Sequence, residues 1–223
     1  AMAKLAEVLS TLDKARLPVH ITPPVKLMIE SLAKNISFPA NILLRGLLKP
    51  TLTDFLLKIM GEKGKFFDPI LHNTVNATIL RGGDKINVIP DEITIKLDGR
   101  ILPGYKPQDI IKELKSLLDL DIELEVLEYD PGTERVDLDF FDRLAGLLKE
   151  DIPDAIPVPF VISGVTDARF FAQLGIQTYG FTPMILPQGV DFSSLFHGVN
   201  ERIPVKGLKF GVDRIYKLLQ KMC

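Results

Sequence analysis

The chain has 223 residues, 46% of them hydrophobic and 25% charged, with a net charge of −2. That is enough for one large or two small domains, and Lys and Arg scattered among acids exclude the basic footprint of a nucleic-acid binder. The single cysteine, Cys223, excludes an intrachain disulfide framework and a cysteine-built zinc cluster. It fits a reducing compartment, so a cytoplasmic location is the expectation.

Residues 3–15 read as an amphipathic helix, with Leu5, Val8, Leu9 and Leu12 on one stripe. Lys4, Glu7, Asp13 and Lys14 interrupt any signal-like apolar core there, and no later run approaches the ~20 apolar residues of a membrane span. Pro18, Pro23 and Pro24 break the chain before a second helix carrying Val25, Met28, Ile29 and Leu32. Residues 36–72 are strongly aliphatic and read as two short helices separated by Lys49-Pro50, the second ended by Gly61 and Gly64. The segment serves either as core or subunit contact, or as an apolar wall for a long acyl group or hydrophobic side chain.

From Asn73 the hydrophobic period changes to two. Val75, Ala77 and Ile79 alternate, as do Ile93, Ile95 and Leu97, and then Ile122, Leu124 and Val126. Gly82-Gly83-Asp84 turns the chain after the first strand. A helix opened by Pro107, with Ile110, Ile111, Leu114, Leu117 and Leu118 inward, precedes the third strand. This is the pattern of a small α+β domain with an antiparallel sheet over helices. After a linker at Pro131-Gly132 come a helix (137–149), a strand (158–162), a helix from Thr166 to Leu174, a strand (177–181) and a last helix from Val205, which is expected to bury Leu208, Val212, Ile215 and Leu219. Two strands are too few for a complete α/β domain, so this portion reads as part of one.

Three groups of residues carry candidate chemistry. His197 lies in a Gly- and Asn-containing turn and is a candidate ligand, or an ordinary hydrogen-bonded loop residue. Gly164, Thr166 and Arg169 sit at a strand-to-helix junction. There, backbone N–H groups and a hydroxyl can hold an oxyanion and a guanidinium can grip a carboxylate. The plainer alternative is a helix cap and an ion pair. Asn87 and Arg100, thirteen residues apart on neighbouring strands, can converge on a substrate carboxylate and carbonyl, or can be a turn residue and a solvated charge. His20 and His72 have no acids at ligand spacing and read as structural. A two-zinc site needs about five or six His, Asp or Glu ligands and a general base. Three histidines with no His-x-Asp and no His-Glu-x-x-His do not supply them. No P-loop, Rossmann fingerprint or Gly-x-Ser-x-Gly elbow offers another chemistry.

Four separated stretches, in order along the chain, resemble the dizinc peptidase and deacylase family of aminoacylase, glutamate carboxypeptidase and acetylornithine deacetylase. They are Pro18-Val19-His20 leading into Phe38-Pro39-Ala40-Asn41-Ile42-Leu43, then Asn87-Val88-Ile89-Pro90 with Asp98-Gly99-Arg100, then Gly164-Val165-Thr166-Asp167-Ala168-Arg169-Phe170-Phe171, and finally His197-Gly198-Val199-Asn200-Glu201. The first and the last two look most like the branch of carboxypeptidase S and the N-fatty-acyl-amino-acid hydrolases. The resemblance implies an α+β lid, or dimerisation, domain over residues 1–130, with 15–72 as a helical insertion, and the C-terminal part of an α/β zinc-peptidase domain over 131–223. It implies His197 as the last zinc ligand, and Asn87, Arg100, Gly164, Thr166 and Arg169 as substrate-binding positions, with Asn87 and Arg100 alternatively serving the site of a partner subunit. The other ligands, the catalytic Glu and a lid His would precede residue 1. The intact relative would hold two zinc ions, form a homodimer and hydrolyse an amide next to a free carboxylate, through a zinc-bridging water deprotonated by Glu. The chain alone is then expected to be inactive, or to serve as a dimerisation or interaction module.

Overall fold

The computed structural model describes residues 2–119, 122–132, 136–190, 192–195 and 198–222. Contacts divide the chain into two units: residues 1–136 with 158–177, and residues 137–157 with 178–223.

In the first unit, α1 (Met2–Lys14) is followed by four helices, α2 (Pro23–Asn35), α3 (Ala40–Gly46), α4 (Pro50–Met60) and α5 (Glu62–Leu71). Pro at the first turn of α2 and α4 is pre-shaped for a helix start, where its missing N–H leaves no bond unmade. Val25, Met28, Ile29, Leu44, Leu47, Leu57, Ile70 and Leu71 form one buried core among these helices. The expected two helices over 36–72 are therefore three. Gly61, at φ 56°, ends α4 as expected, but Gly64 lies inside α5. A Cβ on Gly64 would stand 2.3 Å from the Leu57 carbonyl oxygen, so this glycine lets two helices approach.

Two strands follow, β1 (Thr74–Arg81) and β2 (Thr94–Arg100), paired antiparallel from Thr74↔Arg100 to Arg81↔Thr94. Ala77 pairs with Leu97 but Ile79 with Lys96, so Thr78 is an inserted residue. Such a bulge turns the residues beyond it to the other face, and Leu80, not Ile79, stands opposite Ile95. Val75 and Leu97 pack on Leu17, Ile110 and Leu114, the last two from α6 (Pro107–Leu118). Ile110, Leu114 and Leu118 are buried as their spacing predicts. The strand expected over Ile122–Val126 pairs with nothing among the described residues. Val158 and Val161 pack on the helical core of this unit, with which 158–177 groups, and no strand forms at 158–162. The helix expected from Thr166 is the six-residue α8 (Ala168–Gln173).

The second unit pairs α7 (Phe141–Lys149) with α9 (Val205–Gln220) and buries Leu144 and Leu147. The strand expected at 177–181 is absent, so the partial α/β layer does not form among the described residues. The expected stripe of α9 is also corrected: Leu208, Val212 and Leu219 are at least half exposed, and Gly207 and Arg214 are buried instead. Cβ atoms on Gly207 and Gly211 would stand 3.0 Å from the Ile185 carbonyl oxygen and 2.7 Å from that of Pro183, so the backbone of 183–185 lies directly on the glycine face. Arg214 on the same side donates to the Leu147 carbonyl oxygen at 3.1 Å and pairs with Asp151 and Asp213. These contacts turn the helix by about one residue, ~100°, from the orientation that its apolar spacing predicts.

Candidate functional site

The first unit holds an open groove of about 2030 Å³, walled by β2, the extended segment 122–130 and the segment 161–169. Four of the five expected substrate-binding residues line it: Arg100, Gly164, Thr166 and Arg169. Asn87 does not. It lies in the exposed loop between the strands, next to the Arg81↔Thr94 end of the hairpin, while Arg100 is at the Thr74 end. Six residues of strand separate the two ends, about 20 Å at 3.3 Å per residue, so the expected convergence of Asn87 with Arg100 does not occur within the chain.

Both arginines are already engaged. Arg100 Nε donates to Asp98 Oδ2 at 2.9 Å, and Arg169 Nη1 donates to Asp130 Oδ2 at 2.5 Å. The Arg169 guanidinium also lies 4.6 Å from the ring centre of Phe170. Thr166 Oγ1 accepts a bond from the Ala168 N–H at 3.3 Å, a local turn contact ahead of α8, whose N-cap residue Asp167 makes no side-chain cap bond. A Cβ on Gly164 would meet nothing within 4 Å. The groove lining carries more carboxylates than cations. Arg100 meets Asp98 through Nε and Arg169 meets Asp130 through Nη1, and a guanidinium has five N–H donors, so an incoming carboxylate can join either arginine beside its aspartate, against that aspartate's charge.

Two polar clusters of the first unit escaped the sequence reading. His20 Nε2 is 2.7 Å from Glu113 Oε1, and Asn73 donates to both oxygens of the same carboxylate at 3.1 and 3.2 Å. Asn73 Oδ1 accepts from the Leu102 N–H at 2.9 Å, which anchors the strand exit at a groove-lining residue. His72, 2% exposed, places Nδ1 2.9 Å from Asp68 Oδ1 and Nε2 3.2 Å from Asp54 Oδ1. Burial pushes His72 down, but the hydrogen bonds and charge of Asp68, with Asp54, outweigh it and raise its pKa. Burial likewise pushes Asp68 up, and its bonds from His72 and Arg16 hold it below the usual carboxylate range. Asp68 and His72 stand four residues apart on a helical stretch, a signal present in the sequence. His20 and Glu113 are 93 residues apart and leave none.

No group of three or more His, Cys, Asp or Glu that could hold a metal ion occurs among the described residues. His197, the expected ligand, lies outside them. The described residues do not assemble a two-zinc site.

The comparisons agree with the lid architecture. Residues 1–122 match the peptidase dimerisation domain of the M20 family. The chain belongs to the M20 peptidase family. It is 30% identical over 227 residues to the N-fatty-acyl-amino acid synthase/hydrolase PM20D1 of Homo sapiens, covering 97% of this chain and 43% of that protein. The Bos taurus protein of the same name is 29% identical over 97% of the chain and 43% of its own length. The probable carboxypeptidase S-like 2 of Dictyostelium discoideum is 26% identical over 99% of the chain and 42% of its own length. The chain thus spans less than half the length of these relatives. No solved structure matches it. By family it falls in the hydrolase and peptidase class. Among the described residues no helix is long and apolar enough to cross a membrane.

Proposed function

We propose that this chain is the substrate-positioning part of an amidohydrolase that cleaves an amide next to a free carboxylate, as in an N-acyl-amino acid or a dipeptide. The observation that carries the proposal is the single groove shared by Arg100, Gly164, Thr166 and Arg169. In such a substrate the carboxylate and the nitrogen of the scissile amide are attached to the same carbon. A guanidinium that holds the first therefore orients the second. Arg169, braced by Asp130 and Phe170, is the proposed carboxylate anchor, and Arg100 is the second cation. The name of the human and bovine relatives supports an acylated amino acid as the substrate class.

The finer features belong to the same proposal. Zinc is assigned to the intact enzyme, with His197 as one ligand and the other ligands and the general base supplied from outside this sequence. The chain alone binds without turnover. It works as a homodimer in the cytoplasm. The test is calorimetry of the 223-residue chain with an N-acyl-amino acid and with its methyl ester. Binding of the acid and not of the ester is the expected result, and equal or absent heats for both overturn it. Zinc-dependent hydrolysis by the purified chain, lost on chelation, overturns the inactivity.

A second reading, a dimerisation module with no substrate role of its own, is favoured by the match to a peptidase dimerisation domain and by a sheet that, among the described residues, has two strands, each with an open edge. Both readings expect a dimer in sedimentation, so the calorimetry separates them: a dimer that binds no acyl-amino acid supports the module.

A further inference from the structure

The helical segment 36–66 leaves a second apolar face unused after its core is built. On α4, Thr53 and Leu57 point into the buried core. Leu52, Phe55 and Ile59, spaced at three and four residues, form a stripe on the other side, with Phe55 63% and Ile59 57% exposed. On α3, Ile42 is 57% exposed, and Phe38 just before that helix is 76% exposed. Gly46, one turn after Ile42 on the same stripe of α3, lies against Leu56 of α4, whose side chain a Cβ on Gly46 would meet at 2.5 Å. The two helices that carry these exposed side chains therefore pack directly on one another.

The stretch of chain that carries this face has an excess of cations. Between Lys34 and Lys65 six cations (Lys34, Arg45, Lys49, Lys58, Lys63 and Lys65) stand against two acids, Asp54 and Glu62, in a chain whose net charge is −2. Asp54 reaches His72 and Arg16, and Glu62 pairs with Lys65. Among the described residues Arg45, Lys49 and Lys58 form no ion pair, and Arg45 and Lys58 flank the apolar stripes at helical spacing. A two-fold contact with a second copy would bring this basic face onto itself, so like charges oppose it. Aromatic and aliphatic side chains bordered by long cationic ones fit an anionic lipid surface, where the apolar groups enter the acyl boundary and the cations remain at headgroup level.

We infer that the α3–α4 face, with Phe38, Ile42, Phe55 and Ile59 inserted and Arg45, Lys49 and Lys58 at the headgroups, docks the protein peripherally on an anionic bilayer. This does not depend on the proposed amidohydrolase function, because the face is formed by residues other than the groove arginines.

The test is co-sedimentation of the 223-residue chain with phosphatidylcholine vesicles, with and without about 30% phosphatidylserine. The expected result is binding to the anionic vesicles at least roughly tenfold tighter than to the neutral ones, lost as salt is raised from about 0.1 to 0.5 M. Phe55→Ser with Ile59→Ser should abolish it, with the circular dichroism spectrum unchanged. Arg45→Gln with Lys58→Gln, which alters no core contact, should weaken it roughly 10- to 30-fold. No vesicle binding, equal binding to neutral vesicles, or binding unaffected by the Gln pair overturns the inference. A vesicle-free dimer that Phe55→Ser dissociates also overturns it and assigns the face to a second copy.

Discussion

Asp130 holds the Arg169 guanidinium at 2.5 Å, 39 residues away along the chain, and the same cation lies over the ring of Phe170. The pair is half-exposed, so it adds little to stability. Its consequence is for binding: the arginine is held in place but its charge is already answered. Removing the acid should therefore favour an anionic ligand. Asp130→Asn is expected to tighten binding of an N-acyl-amino acid about 3- to 10-fold, and Arg169→Ala to weaken it about tenfold or more. Calorimetry of the two variants checks this. Equal affinities would remove Arg169 from the carboxylate site.

The features visible in the sequence are those encoded locally. The stripes Val25, Met28, Ile29 and Ile110, Leu114, Leu118 recur at helical spacing and are buried as read. The hairpin is marked by alternation on either side of a turn, although the bulge at Thr78 shifts which face Ile79 and Leu80 occupy. What failed was non-local. A strand exists only if another pairs with it, and the segments 122–126, 158–162 and 177–181 join no sheet among the described residues. Helix α9 was misread because a buried arginine and two glycines outcompete its leucines for the inner side. Gly64 was read as a stop, although it is a point of helix contact. For the site, the motifs gave the residues of the groove, while their acidic partners Asp98 and Asp130 became visible only with the fold.

His72 makes the first unit sensitive to pH. Its folded pKa is raised, so its stabilising contribution is fully present below the unfolded value of about 6.5 and is lost as pH rises through the folded value. Asp68 is shifted down. Its contribution is present above about 3.9 and is lost as pH falls through the folded value. Together the pair is strongest between about pH 4 and 6.5. The urea midpoint of the first unit should fall from pH 6 towards pH 9, and His72→Gln should flatten that slope while costing about 1–3 kcal/mol at pH 6. An unchanged slope in the variant would mean that another group carries the dependence.

Thr53 is fully buried, and its hydroxyl lies 2.9 Å from both the Leu47 and the Lys49 carbonyl oxygens. It thereby ties the end of α3 to the start of α4, where no side chain caps the helix. Thr53→Val keeps the shape but removes the hydroxyl donor from the Leu47 carbonyl, while the Lys49 carbonyl still accepts from the Leu52 and Thr53 N–H groups. The expected loss is about 1–3 kcal/mol by chemical denaturation. A loss in the range of a surface substitution, below about 0.5 kcal/mol, would show that the junction holds without it.

Two helical glycines should respond to alanine with opposite signs. At Gly64 the new methyl would stand 2.3 Å from the backbone oxygen of Leu57, which cannot rotate away as a side chain would. Gly64→Ala must therefore push α5 off α4, at a cost of about 1–3 kcal/mol or more. At Gly146, inside α7, a Cβ meets nothing within 4 Å, and the backbone keeps ordinary helical geometry. Gly146→Ala then gains only the helix propensity, about 0.5–1 kcal/mol. Thermal melts of the two variants beside the parent chain decide the matter. A neutral Gly64→Ala would mean that α4 and α5 separate freely, and with them the wall that carries Phe55 and Ile59.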